Sequence, residues 1–162
     1  MSSKHIKERN CTAPSLCSAI ERQISFTHGL IRVANSGYCC NTDGCNNRDV
    51  NVPDVQTQNG LQCFTCSGPQ DTVCDTIVKC VGIQDRCFKT VLSVEGKTGP
   101  MLGCASANMC EGHTELENSL LSLPSQLPSA PQCCGTSLCN SAPTFKLSVV
   151  PVLLSLVALS AN

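Results

Sequence analysis

Gln132-Cys133-Cys134-Gly135-Thr136-Ser137-Leu138-Cys139-Asn140 and, nearer the start, Gly37-Tyr38-Cys39-Cys40-Asn41-Thr42-Asp43-Gly44-Cys45-Asn46 carry one signature, Cys-Cys-x4-Cys-Asn. The likeness extends outward. Cys11 and Cys17 recur as Cys104 and Cys110 at an offset of 93, and Cys39, Cys40 and Cys45 recur as Cys133, Cys134 and Cys139 at 94. Staples recur at a fixed offset when one module is used twice. The later copy continues backward through Cys63, Cys66, Cys74, Cys80 and Cys87, and the same offset sends all five equivalents upstream of residue 1. We therefore read residues 1–47 as the C-terminal half of a truncated module and residues 61–140 as a complete one. The opening Met1–Asn10 has neither the apolar stretch nor the small-residue cleavage site of a secretory signal, which fits an incomplete gene model, a fragment or an alternative start.

Composition explains why cysteines are needed. The 162 residues include no Trp, one Tyr and four Phe, so little aromatic area is available for a core, while fifteen are Cys. Cross-links then substitute for the apolar burial that small domains lack. Such cysteine density persists where thiols oxidise, which places the mature protein outside the cytosol. A thionein or zinc-ribbon reading would need repeated short Cys-x-x-Cys pairs, and Cys63 with Cys66 is the single one. The net charge of −1 and the absence of a Lys/Arg run point to neither nucleic acid nor an anionic membrane face. Lys4, Lys7 and Arg9, broken by Glu8, read as solvated surface.

Locally the complete module reads as β. Leu61–Cys66 is a short first strand closed by a Ser67–Asp71 turn. Arg86–Val94 is rich in β-formers, and Glu95–Gly99 turns it back toward Met101–Cys104. The segment Glu111–Gln132 is long for its position and is expected to be the most mobile part. Glu115–Leu121 leaves room for a short helical turn, and Pro124, Pro128 and Pro131 argue against a regular strand between them. Arg48–Gly60 is polar and contains Pro53, so residues 48–60 read as a linker.

Taken together, the run Cys63-x2-Cys66-x7-Cys74-x5-Cys80-x6-Cys87-x16-Cys104-x5-Cys110-x22-Cys133-Cys134-x4-Cys139-Asn140 closely resembles the urokinase-receptor and lymphocyte-antigen-six family of three-finger (LU) domains. Residues 11–46 match that domain's second half. Spacing does not assign connectivity, since four cysteines allow three pairings and ten allow roughly 945 by the same counting. The resemblance implies Cys63 with Cys87, Cys66 with Cys74, Cys80 with Cys104, Cys110 with Cys133, and Cys134 with Cys139. It likewise implies Cys17 with Cys39 and Cys40 with Cys45, leaving Cys11 unpaired. The implied fold is a small all-β, disulfide-rich, snake-toxin-like domain preceded by half of another. The resemblance also implies that Asn140 ties the chain end back to the knot, with Asn46 as its equivalent.

In that family the knot presents loops that mostly bind proteins, so the expected partner is an extracellular protein or a transmembrane co-receptor. The surface expected to bind it is finger two, residues 88–102, with Phe88, Lys89, Val91, Leu92, Glu95 and Lys97 as candidates, together with finger three, residues 111–132. The alternative that resemblance allows is a secreted two-domain inhibitor like the serum phospholipase inhibitors.

After Asn140 the composition changes. Leu147–Leu159 is an almost wholly apolar run of thirteen residues, broken by Pro151. A helix needs about twenty residues to cross the hydrocarbon. Small residues, a spacer and a terminal apolar tail instead read as a glycosylphosphatidylinositol signal over residues 141–162, removed on maturation. Asn140 is the best attachment candidate, because it places Ser141 and Ala142 at the two following small-residue positions, and Ser141 is a runner-up weakened by Pro143. The spacer Pro143–Lys146 is shorter than the usual eight to twelve residues. The anchored chain would sit on the outer leaflet, at the extracellular face of the plasma membrane.

No motif supplies a positioned nucleophile, base or metal site, so no catalytic residue, cofactor or metal ligand is expected. His5 and His28 are isolated, and His113 with Glu115 and Glu117 reads as a solvated polar loop. Cys11 reads as an orphan rather than a redox centre. Asn10-Cys11-Thr12 satisfies the glycosylation sequon but is a weak acceptor beside a cysteine normally bridged.

Overall fold

A computed structural model describes residues 7–68, 71, 73–94, 96–111, 125–126 and 130–141. After a single 3-10 turn at Pro14–Leu16 come α1 (Cys17–Ile20), β1 (Ile24–His28), β2 (Ile31–Asn35), β3 (Gln58–Thr65), β4 (Thr76–Val81), β5 (Arg86–Val94), β6 (Lys97–Ala105), α2 (Ala107–Glu111), β7 (Ser125–Gln126) and β8 (Gln132–Cys134). The described structure is all-β apart from these short helical turns, and it is disulfide-rich.

Seven bridges hold it: Cys17–Cys39, Cys40–Cys45, Cys63–Cys87, Cys66–Cys74, Cys80–Cys104, Cys110–Cys133 and Cys134–Cys139. These are the pairs that the resemblance implies, and Cys11 is free and exposed. Cystine sulfur forms the centre of the core, beside Ile24, Val81, Phe88, Leu102 and Ala105. Cys63, Cys80, Cys87 and Cys104 are fully buried together, with Leu61, Val78, Cys134 and Cys139 packed against them. The aromatic contribution is one edge-to-face pair, Phe26 with Phe88, at 6.5 Å between centroids.

Strands β3 and β4 form a two-stranded sheet, and the remaining six form a second sheet in the order β2-β1-β6-β5-β7 with β8 also on β5. The β5–β6 hairpin is regular from Arg86↔Ala105 to Val94↔Lys97. Its β-branched and aromatic residues suit a pleated, half-buried ribbon. It closes in two residues because Gly96 takes a φ of 78°, so β6 begins at Lys97 rather than at Met101 as the composition of 95–99 suggests. Pro100 is tolerated inside β6 because β1 pairs with that strand only at Cys104 and Ala105, leaving the far side of Pro100 without a ladder.

Most consequential for organisation, the stretch read above as a half-module is not a separate body. Strand β1 adds to the edge of β6 through Phe26↔Ala105 and Thr27↔Cys104, so one sheet runs through both modules. The segment read as a linker is also held in place. Arg48 stacks on the Tyr38 ring at 3.8 Å, the Ser36 hydroxyl donates to Asn51 O (2.6 Å), and Arg32 donates to Val55 O (3.2 Å). Pro53 is buried, Gly82 N–H donates to Thr57 O (2.8 Å), and β3 starts at Gln58 rather than at Leu61. Polar composition reports side-chain hydration, whereas backbone pairing across the chain ordered this stretch. The prolines of finger three likewise left room for β7, which pairs Ser125 and Gln126 with Val94 and Ser93. The helical turn expected within 115–121 lies outside the described residues.

Candidate binding surface

Finger two is rooted in the knot and runs away from it. At its base Cys87 is bridged to Cys63 and Cys104 to Cys80, and all four sulfurs are buried. Beyond the base, register separates the side chains by face, because successive residues of a strand point to opposite sides. Lys89, Val91 and Ser93 share one face with Leu102, Pro100 and Thr98, while Phe88, Leu92 and Lys97 belong to the other. Val91 is 41% exposed, Thr98, Pro100 and Lys97 are exposed, and Lys89 and Leu92 are half-buried. Glu95 lies outside the described residues, as do most of residues 111–132.

Phe88 corrects the expectation made of it. It is fully buried, edge-on to Phe26, and cannot meet a partner. The alternation of β5 points this side chain inward, where its large apolar area is buried. Its neighbours Lys89 and Val91 take the other face.

Asn140 organises the finger's base from the chain end. It is 1% exposed; its Oδ1 accepts from Phe64 N–H, and its Nδ2 donates to Phe64 O and Phe88 O, all at 2.9 Å. One amide thus satisfies one backbone donor and two acceptors on β3 and β5, which a buried polar group requires. Asn46, by contrast, is exposed. Among the described residues, no counterpart of the Asn140 tie is made there.

Gln84 is the residue that sequence reasoning missed. It is fully buried; its Oε1 accepts from Thr27 Oγ1 (3.0 Å) and Val81 N–H (3.2 Å), and its Nε2 donates to Ser25 Oγ (2.9 Å). Around it, Ser106 N–H donates to Ser25 O and Ser25 N–H to Ser106 Oγ, while Gly29 N–H donates to Thr65 Oγ1. His28 Nδ1 lies 2.9 Å from Leu102 O, which assigns the proton to that nitrogen. Beside the Phe26–Phe88 contact, the joint is therefore a satisfied polar network, and it fixes where the β1–β2 hairpin stands beside finger two. No motif marks a lone Gln in Val-Gly-Ile-Gln-Asp as such a keystone.

Two carboxyls are perturbed. Asp54 is held below the usual carboxylate range by the Thr57 hydroxyl and by the backbone N–H groups of Gln56 and Thr57. Asp49 is lowered by its hydrogen bond and ion pair with Lys7. Both are exposed; Asp54 shapes the turn at Gln56 and Thr57, and Asp49 holds Lys7 at the surface. The one sulfur cluster with metal-like spacing among the described residues, Cys63, Cys80 and Cys104, consists of bridged sulfurs, which are not thiolate ligands. No helix among the described residues is long and apolar enough to cross a membrane.

Comparison with known proteins agrees with this architecture. The family model described as the u-PAR/Ly-6 domain matches residues 59–142. The urokinase plasminogen activator surface receptor of Mus musculus is 32% identical over 126 residues, covering 74% of this chain and 37% of that protein. Protein RoBo-1 of Rattus norvegicus is 29% identical over 109 residues, covering 64% of this chain and 42% of that protein. A phospholipase A2 inhibitor of the gamma type from Elaphe climacophora is 35% identical over 89 residues, covering 51% and 44% respectively. This chain spans about two fifths of the length of these relatives. With five bridges inside residues 61–140, finger two rooted in them and the family match laid over the same span, the chain belongs to the u-PAR/Ly-6 domain family.

Proposed function

We propose that the protein is a receptor-like or modulatory protein of the cell surface, held on the outer leaflet by a glycosylphosphatidylinositol anchor, that binds an extracellular protein through fingers two and three. The observation that carries the binding part is the β5–β6 hairpin, paired without interruption from Arg86 to Val94 and offering Val91, Pro100, Thr98 and Lys97 to solvent. A rigid ribbon presents such side chains at low entropic cost, which favours recognition. The anchor part rests on the small residues after Cys139 and the apolar run Leu147–Leu159, which lies outside the described residues. A chain so anchored has no cytoplasmic segment, and any signal would pass through a transmembrane co-receptor. The test is surface display on intact cells with and without phosphatidylinositol-specific phospholipase C. Loss of surface protein on treatment supports the reading, and protein found only in the medium of untreated cells overturns the anchor.

The phospholipase A2 inhibitor relatives favour one second reading, a secreted inhibitor built on the same paired modules. Purified protein that lowers phospholipase A2 turnover in proportion to its concentration would select it over the receptor reading.

A further inference from the structure

If the chain is anchored as proposed above, we infer that the lipid is joined to Ser141 rather than to Asn140. A transferase must seat the attached residue in its own pocket and draw the chain out on both sides of the bond it cuts. Asn140 is the worst placed residue for this. Its side chain is 1% exposed and makes three hydrogen bonds to Phe64 and Phe88. The residues before it form a turn closed by Cys134–Cys139, with Leu138 at a φ of 61° and its N–H donated to Gln62 O at 2.7 Å. Gln62 N–H in turn donates to Ser137 Oγ. Seating Asn140 would unpick the end of the knot, because each of those groups would be left buried and unpaired.

Ser141 is the first exposed residue after the knot, lies in no strand or helix, and is small. Pro143, two residues on, counts against Ser141 on the small-residue rule, but it also bounds the choice from the other side. The Ala142–Pro143 bond is a tertiary amide whose nitrogen carries no hydrogen and whose ring restricts the residue before it. Of the two ordinary amides between Asn140 and that proline, Asn140–Ser141 is cut only by seating the buried Asn140, which leaves Ser141–Ala142. The reaction is amide for amide. The primary amine of the glycolipid's terminal ethanolamine becomes bonded to the Ser141 carbonyl carbon, the Ser141–Ala142 bond breaks, and Ala142–Asn162 leaves with a proton on its new amino terminus. Pro143 goes with the leaving peptide. Asn140 keeps its side-chain bonds throughout and remains the last residue of the fold.

The experiment uses the full chain displayed on mammalian cells, released with phosphatidylinositol-specific phospholipase C, digested, and sequenced at its C-terminal peptide by mass spectrometry. Ethanolamine-linked glycan on Ser141 is expected. The same group on Asn140 overturns the assignment while leaving the anchor intact. Release of no ethanolamine-bearing peptide, with the chain in the medium, overturns the anchor and this inference with it.

Discussion

The carbonyl oxygen of Thr27 stands against the α-carbon of Gly103 so closely that it occupies the place a Cβ there would take. Gly103 is therefore the gap through which the half-module's β1 reaches β6. Gly103→Ala is expected to destabilise the protein by about 2 kcal/mol, as overpacking of a closed site does. The hard clash is with the backbone of β1, whereas Phe88 Cε1 on β5, 3.2 Å from the added Cβ, need give only slightly, so most of the damage falls on docking. Hydrogen exchange should accelerate at Ser25 and Ser106, whose N–H groups cross the joint, while the β5–β6 ladder stays protected.

Gln84 is expected to couple the modules energetically. Gln84→Ala leaves Thr27 and Ser25 buried with lost partners and should cost about 2 kcal/mol. Thr27→Val removes one end of the same network, so the double variant should recover about 1 kcal/mol relative to the sum. Additive effects in denaturant titrations would show that the two side chains do not communicate.

Asn140→Ala should cost about 3 kcal/mol, since it leaves one buried N–H and two buried carbonyls without their partner. Thermal unfolding measures it. The exposed Asn46 serves as the comparison, and Asn46→Ala is expected to stay within about 0.5 kcal/mol of the parent.

Phe88 and Val91 should separate folding from recognition. Phe88→Ala removes a fully buried ring packed on Phe26 and is expected to cost about 3–5 kcal/mol. Val91→Asp changes a residue that is 41% exposed and should leave stability within about 0.5 kcal/mol. Crosslinking of the proposed extracellular partner should fall at least tenfold for Val91→Asp, and unchanged crosslinking would move the binding face away from the Lys89–Val91 side of the ribbon.

The Asp54 turn should respond to acid in a defined direction. Its carboxyl is lowered from 3.8 by the Thr57 hydroxyl, then by the N–H of Gln56 and of Thr57. A depressed folded value means the contribution is present above the unfolded value and is lost as pH falls through the folded one. Amide exchange at Gln56 and Thr57, corrected for intrinsic rates, should therefore rise below pH 3.8. In Asp54→Asn that acid step should vanish, and its persistence would assign the effect to another group.

Much of this protein was readable as text because covalent staples leave their spacing in the chain. The repeat from Cys11–Cys45 to Cys104–Cys139, the β-rich ribbon Arg86–Val94 and the buried role of Asn140 beside the last cysteine all follow from local order plus a recognised pattern, since a bridge and a strand period are properties of short stretches. What tertiary structure alone decided is everything that depends on which surface meets which. Phe88 turned inward, residues 48–60 became a packed connection, Gln84 became the hub of the joint, and β1 continued the sheet of the other module through the space that Gly103 leaves open. Those outcomes rest on contacts between residues tens of positions apart, and the free energy of such a contact is set by burial and hydrogen-bond partners that no window of sequence contains.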